Sequence, residues 1–284
     1  MEFGQQNMHN KSIAVIMTCH NRRDTTLRCL ESLLKQDHYA EYDIKIFLLD
    51  DGSTDGTANA VLSLNPDIRV IHGEGNLFWC GGMRTAWLEA LKSDFDLYIW
   101  LNDDVELCTT ALHDLFSTYL MLAEKHGDQI MVCGSFRDPI TNRRSYGGQA
   151  GERLIEPDGQ PHEIDIFAGN LVLVPRAVMR INGILEKRFT HGLGDYDYAL
   201  RARKKKIRIF TATNYQGTCR ANVGVSWHDP DKSLAQRWTI MHGPKGPPPK
   251  EYMLYVWRHK KLKMPFSILK MYLRVLFPFL FRRS

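Results

Sequence analysis

Two neighbouring carboxylates, Asp103 and Asp104, follow Asn102 at the end of the apolar run Leu97-Tyr-Ile-Trp-Leu101. Acids at the end of a strand can hold a hard divalent cation, and Mg²⁺ or Mn²⁺ bound this way keeps waters and phosphate oxygens as further ligands. A solvated turn is the alternative reading. A second acidic strand end is Leu49-Asp50-Asp51-Gly52-Ser53-Thr54-Asp55. Asp50 could accept hydrogen bonds from a nucleobase or ribose, while Asp51 and Ser53 could cap the following helix. For Ser53, Thr54 and Asp55 a plain turn and cap is the simpler account.

In Gly75-Asn76-Leu-Phe-Trp79-Cys-Gly81-Gly82-Met-Arg84, paired glycines precede a helical pattern. They would let backbone approach a ligand, the helix N-terminus would favour a diphosphate, and Arg84 in the first turn would add a charge-assisted contact. The structural alternative is a tight loop with Trp79 in the core. Gly192-Leu-Gly194-Asp195-Tyr196-Asp197 places two acids at a helix start. A carboxylate there could act as general base on a hydroxyl. Asp195 could equally be a cap, and Asp197 is better read as a partner of Arg201 four residues on. His228 could be a third metal ligand or a structural histidine.

These groups need a scaffold, and the first half of the chain supplies its pattern. Strand signals at 13–17, 44–49, 68–71 and 97–101 alternate with helical ones at 25–35, 55–64, 83–92 and 109–125. That alternation predicts an α/β fold with a mainly parallel sheet and helices on both faces. Ligands sit at the carboxyl ends of strands in such sheets. The polar clusters at 18–21, 50–53 and 102–104 fall there. The second half is less regular: loop or hairpin at 143–159, a strand at 167–174 before a short helix opened by Pro175, a helix at 196–205 and a strand at 207–210.

Overall charge is +5 over 284 residues. Residues 250–284 hold nine Lys and Arg against one acid, a net +8, which leaves −3 on the preceding 249. A near-neutral body argues against nucleic-acid binding, and the basic tail points to an anionic surface. The apolar stretch 266–281 is shorter than the ~20 residues a spanning helix needs. Lys270, Arg274 and Pro278 interrupt it. It reads as an interfacial helix on lipid headgroups, or else as a helix packed on the body or a dimer contact. The polar start of the chain is not a secretory signal. The six scattered cysteines fit a reduced, cytoplasmic setting.

In their order along the chain, AVIMTCHNR, LLDDGSTDGT, GNLFWCGGMRTAW, IWLNDDV, GLGDYDYALRARKKK and His228 resemble the family 2 glycosyltransferases with the GT-A fold, of the bacterial polysaccharide and rhamnosyltransferase-like type. The resemblance spans roughly residues 13–229. It implies a GT-A catalytic domain over 11–242, a nucleotide-sugar half to about 136 and an acceptor half beyond. A Pro/Gly linker at 243–249 and a basic amphipathic tail at 250–284 would follow.

It further implies that Thr18 and Asp50 bind the nucleoside, with Asn21, Arg22, Asn76, Gly82 and Arg84 also on the donor. Asp103 would lie near the ribose, and Asp104 with His228 would hold Mn²⁺ or Mg²⁺. Asp195 would be the base, supported by Asn102, Asp197 and Trp79. The family's DxD reads Asn102-Asp103-Asp104 here, and its Glu-Asp before the base reads Gly194-Asp195.

The implied reaction is a single displacement that inverts the anomeric carbon. It would move a hexosyl or deoxyhexosyl group from a nucleotide-diphosphate sugar to a glycan or lipid-linked acceptor at the inner face of the cytoplasmic membrane. Alternatives are a sugar nucleotidyltransferase, which normally has a glycine-rich loop that Thr18-Cys-His-Asn-Arg22 lacks, or a non-catalytic carbohydrate-binding protein at the membrane. An oligomer is compatible with either.

Overall fold

A computed structural model describes residues 8, 11–222 and 227–281. Twelve strands occur among them: β1 (Ser12–Cys19), β2 (Asp43–Asp50), β3 (Arg69–His72), β4 (Leu97–Leu101), β5 (Val105–Leu107), β6 (Ile130–Arg137), β7 (Arg144–Tyr146), β8 (Gly148–Ala150), β9 (Arg153–Leu154), β10 (Ile166–Phe167), β11 (Leu171–Pro175) and β12 (Arg208–Cys219). The helices are α1 (Arg23–Leu34), α2 (Thr57–Leu64), α3 (Phe78–Ala90), α4 (Ala111–His126), α5 (Arg176–Asn182), α6 (Gly194–Lys204), α7 (Leu234–His242), α8 (Pro249–His259) and α9 (Met264–Leu276).

The main sheet runs β3-β2-β1-β4-β11-β6-β12-β5, with β7 on β6, and β8–β10 form a small second sheet. β3, β2, β1 and β4 are parallel, as their alternation with helices requires. β11 runs antiparallel between β4 and β6. Side chains on successive strand positions point to opposite faces. Ile13, Val15 and Met17 therefore enter the core under α1 and α4, and Ala14 and Ile16 the core under α3 and α6. β4 divides the same way, with Leu97, Ile99 and Leu101 on one side and Tyr98 and Trp100 on the other.

Several elements differ from the sequence pattern. β6, whose first seven residues are buried, has no counterpart in the alternation read from the chain. The expected strand at 167–174 is broken at Gly169-Asn170, where the backbone of Asn170 accepts from Asn102 N–H at 3.0 Å. β12 continues to Cys219 through irregular register. α3 begins at Phe78, five residues before the expected start, because Leu77 and Phe78 N–H are fixed by a carboxylate from β2's end.

The C-terminal segment packs on the body along part of its length. Tyr255 and Val256 of α8 lie in the same core as α3, α6 and β4. Gly246, in the Pro/Gly segment, sits so close to α7 that an added Cβ would lie 2.1 Å from the Ile240 carbonyl oxygen. That stretch is thus a packed turn between helices. The apolar segment is helical as α9, and a short 3₁₀ turn at Pro278–Phe281 follows where proline prevents continuation.

Candidate active site

The parallel half-sheet ends in two loops that brace one another. At β1's end Asn21 takes a left-handed φ of 50°. Its Oδ1 accepts from Thr54 N–H at 2.8 Å, and its own N–H donates to Ser53 Oγ at 2.8 Å. Asp55 accepts from Arg23 N–H at 3.0 Å and Thr57 N–H at 3.1 Å. Asn21 thus engages the neighbouring loop through the side chain expected at the donor, and Ser53 joins loops instead of capping α2. Asp50 is buried and its Oδ1 accepts from Ser53 N–H.

Asp51 also has a role other than the helix cap expected of it. Its buried carboxylate accepts from Gly75 N–H at 2.9 Å, Leu77 N–H at 2.8 Å and Phe78 N–H at 3.1 Å. The N-terminus of α3, expected to receive a diphosphate, is therefore already neutralised by a carboxylate of the chain itself. Gly82 seats α3 on β1: an added Cβ would stand 2.2 Å from Thr18 Oγ1. Asn76 is exposed on the loop before the helix. Because α3 starts early, Arg84 lies in its second turn and turns away to the Leu185 carbonyl at 2.5 Å, which removes it from the expected phosphate contact.

The Asn102-Asp103-Asp104 turn is held from three directions. Asn102 Oδ1 accepts from Trp79 Nε1 at 2.7 Å. Asp103 is buried and accepts from Thr26 Oγ1 at 3.4 Å. Arg22 Nη1 lies 3.2 Å from Asp103 Oδ1 and 3.1 Å from Asp104 Oδ2. Burial pushes the Asp103 carboxyl up to about 6, against the pull of Arg22. Asp104 is the more open acid, and a cavity of about 610 Å³ lined by Arg22, Asp104, Cys219 and Arg220 adjoins it.

Asp195 lies across Trp79 from that turn. Its Oδ2 accepts from Gly169 N–H at 3.2 Å and its Oδ1 from Tyr196 N–H at 2.8 Å. Gly169 passes so near the Trp79 ring that a Cβ would stand 2.5 Å from it. One wall, Asp195–Gly169–Trp79–Asn102, thus joins the expected base to the acidic turn. Burial raises the Asp195 carboxyl to about 6, a value suited to a base near neutral pH. Gly194 lets α6 meet α3, since a Cβ there would lie 2.5 Å from Cys80 Sγ.

Asp197 faces the protein interior. It is fully buried and bonded to Arg201 at 2.8 Å, Arg258 at 2.8 and 3.0 Å and His259 at 2.8 Å. It anchors α8 rather than joining the reacting groups. Thr190 N–H and Oγ1 donate to Glu251 at 3.0 and 2.7 Å. The pattern of the sequence missed Glu251, Arg258, His259 and Gly169. The isolation of Glu251 as the sole acid among nine cations was the available signal for one of them.

His228 lies beside Trp227, with ring centroids 4.7 Å apart, and feels the charges of Arg274 and Asp229. Among the described residues no three His, Cys, Asp or Glu side chains converge as a metal-ligand group, so His228 and Asp104 are not brought together with a third ligand. The donor chemistry at the acidic turn nevertheless fits a hard cation. Two carboxylates already converge on one positive group, the Arg22 guanidinium, and oxygen donors suit Mn²⁺ and Mg²⁺.

The curled, mostly parallel sheet with flanking helices is the GT-A fold. PcManGT, a mannosyltransferase from Pyrobaculum calidifontis solved with GDP-Man and Mn²⁺, superposes with TM-score 0.54 at 16% identity, over 93% of this chain and 74% of that one. GalNAc-T7, solved with UDP, GalNAc and Mn²⁺, gives TM-score 0.54 at 14% identity over 82% of this chain. The chain spans about half of GalNAc-T7, 48% of its length. No curated protein sequence matches the chain. Residues 14–179 match the glycosyl transferase family 2, and the chain belongs to that family.

Proposed function

We propose that the protein transfers a hexosyl or deoxyhexosyl group from a nucleotide-diphosphate sugar to an acceptor hydroxyl, with inversion, in the synthesis of a bacterial surface polysaccharide or glycolipid. The observation that carries this reading is the placement of Asp195. Its carboxyl is raised to about 6 by burial and is tied through Gly169, Trp79 and Asn102 to the acidic turn. This wall would hold a base and an anchoring point for the leaving diphosphate in fixed relation, as an in-line displacement needs.

The nucleoside would lie over Thr18 and Asp50, with Asp103 toward the ribose. Arg22 would offer positive charge to the diphosphate. Asp195 would take the acceptor proton as the hydroxyl attacks. Asp104, together with His228, would hold Mn²⁺ or Mg²⁺, which when bound neutralises charge on the departing diphosphate. Support for the donor class and metal comes from PcManGT and GalNAc-T7, whose structures contain GDP-Man or UDP with Mn²⁺. The acceptor is read as a lipid-linked glycan and the site of action as the inner face of the cytoplasmic membrane. Among the described residues no helix is long and apolar enough to cross a membrane.

The test is a panel of nucleotide sugars incubated with the protein and Mn²⁺. Release of nucleoside diphosphate that depends on metal and acceptor supports transfer. Release of pyrophosphate, or of nothing, overturns it.

A further inference from the structure

The last helix carries two apolar faces where packing on the body needs one. Met264, Ile268, Met271 and Val275 recur at spacings of four, three and four. This row turns inward: Met271 and Val275 are buried against Met241 of α7, and Met264 packs on the main core. Phe266, Leu269, Leu273 and Leu276 form a second row at spacings of three, four and three, in which Leu273 is half-buried and the other three are exposed. Phe266 is 67% exposed, Leu269 57% and Leu276 43%. Leu262, Phe279 and Leu280 extend the apolar surface at the two ends, also exposed. A helix satisfied by packing on one body would show a single apolar stripe.

The surroundings of this second row select its partner. Lys260, Lys261 and Lys263 precede it and Lys270 lies along it. The one acid of the segment, Glu251, is turned inward onto Thr190 and offers no opposing charge. Lys261 Nζ lies 4.4 Å from the ring centre of Trp257, itself half exposed. Apolar side chains bordered by cations and an aromatic ring fit the headgroup region of a bilayer, where apolar groups enter the acyl boundary and lysines meet anionic headgroups.

We propose that this outward face of α9, centred on Phe266, Leu269 and Leu276, docks the protein on an anionic lipid bilayer. The inference rests on the membrane part of the function proposed above and assigns it to particular residues. The docked helix is firmly joined to the body. Arg237 Nε of α7 donates to the Val275 carbonyl at 2.8 Å, and α8 connects α9 to Asp197 behind the base. The bilayer would thereby hold the active site in one orientation.

Vesicle flotation of the full chain, without donor or acceptor, tests this separately from catalysis. Phosphatidylcholine vesicles are compared with vesicles that also contain phosphatidylglycerol. The wild type is expected to float with the anionic vesicles and to release as salt rises. Phe266→Glu with Leu269→Glu should weaken binding about a hundredfold or more, since each buried apolar side chain accounts for roughly tenfold. Both positions are exposed, so the melting temperature should hold. A second variant, with Lys260, Lys261 and Lys263 each changed to Gln, keeps the apolar row and should lose about fivefold per charge.

Unchanged binding by the double Glu variant, or no binding of wild type to anionic vesicles, overturns the proposal. So does a wild-type dimer in vesicle-free solution that Phe266→Glu with Leu269→Glu converts to monomer, because a second copy would then cover the face. Loss of vesicle binding with nucleotide-sugar turnover intact separates this inference from the enzymatic one.

Discussion

Asp197 and His259 meet at 2.8 Å, Oδ1 to Nε2, although 62 residues separate them in the chain. With Arg258 and Arg201 they form a buried ionic knot two residues past the expected base. Removing one partner of such a group leaves uncompensated charge, at a cost of about 3–5 kcal/mol. Asp197→Ala is therefore expected to lower the melting temperature by roughly 10 °C, measured by calorimetry. Truncation after Pro249 removes Glu251, Arg258 and His259 together and should destabilise more than Asp197→Ala does. A truncated chain that melts like wild type would refute this account of α8.

Asp195→Asn should behave in the opposite way. It removes the proposed proton acceptor with little change of shape, so turnover should fall about a hundredfold or more while donor affinity stays. Burial has raised the Asp195 carboxyl from its ordinary 3.8 to about 6, so the folded state holds this proton more tightly than the unfolded chain. Ionising it as pH rises through that window costs stability. The Asn variant should accordingly melt no lower than wild type at pH 7.

The same shift sets the pH dependence of turnover. If Asp195 is the base, its ionised carboxylate is the active form, so log kcat/KM should climb with unit slope as pH rises and level off above about 6. Initial rates from pH 4.5 to 8 would read this. A flat profile through pH 6 would exclude Asp195 as the base.

The acidic turn yields a metal prediction. Chelation by EDTA should abolish nucleoside diphosphate release and Mn²⁺ should restore it, while Asp104→Asn should resist restoration at the same Mn²⁺ concentration. Full wild-type activity in excess EDTA would remove the metal from the mechanism.

Gly82 offers a test of packing between α3 and β1. A Cβ there would stand 2.2 Å from Thr18 Oγ1 and 2.9 Å from Thr18 Cβ. Gly82→Ala should cost about 1–3 kcal/mol through forced displacement of α3. Thr18→Ala in the same chain should recover part of that loss, a coupling that a double-mutant cycle by thermal melting measures.

Much of this protein follows from local sequence. The apolar runs of β1, β2 and β4, each ending in polar residues, specify parallel strands with ligands at their carboxyl ends, because strand period and crossover geometry are local properties. The order of the motifs from Thr18 to Asp195 identifies the family. Partner choice is another matter. Asp51 binds the start of α3 rather than α2, Arg84 turns to Leu185, and Asp197 meets a helix some sixty residues away. A carboxylate's chemistry is fixed by what is buried beside it, and α8 is brought beside α6 only when the core around Tyr198 and Tyr255 closes. Thus the tertiary structure alone decided that Asp195 remains at the site wall while Asp197, two residues on, is folded into the scaffold.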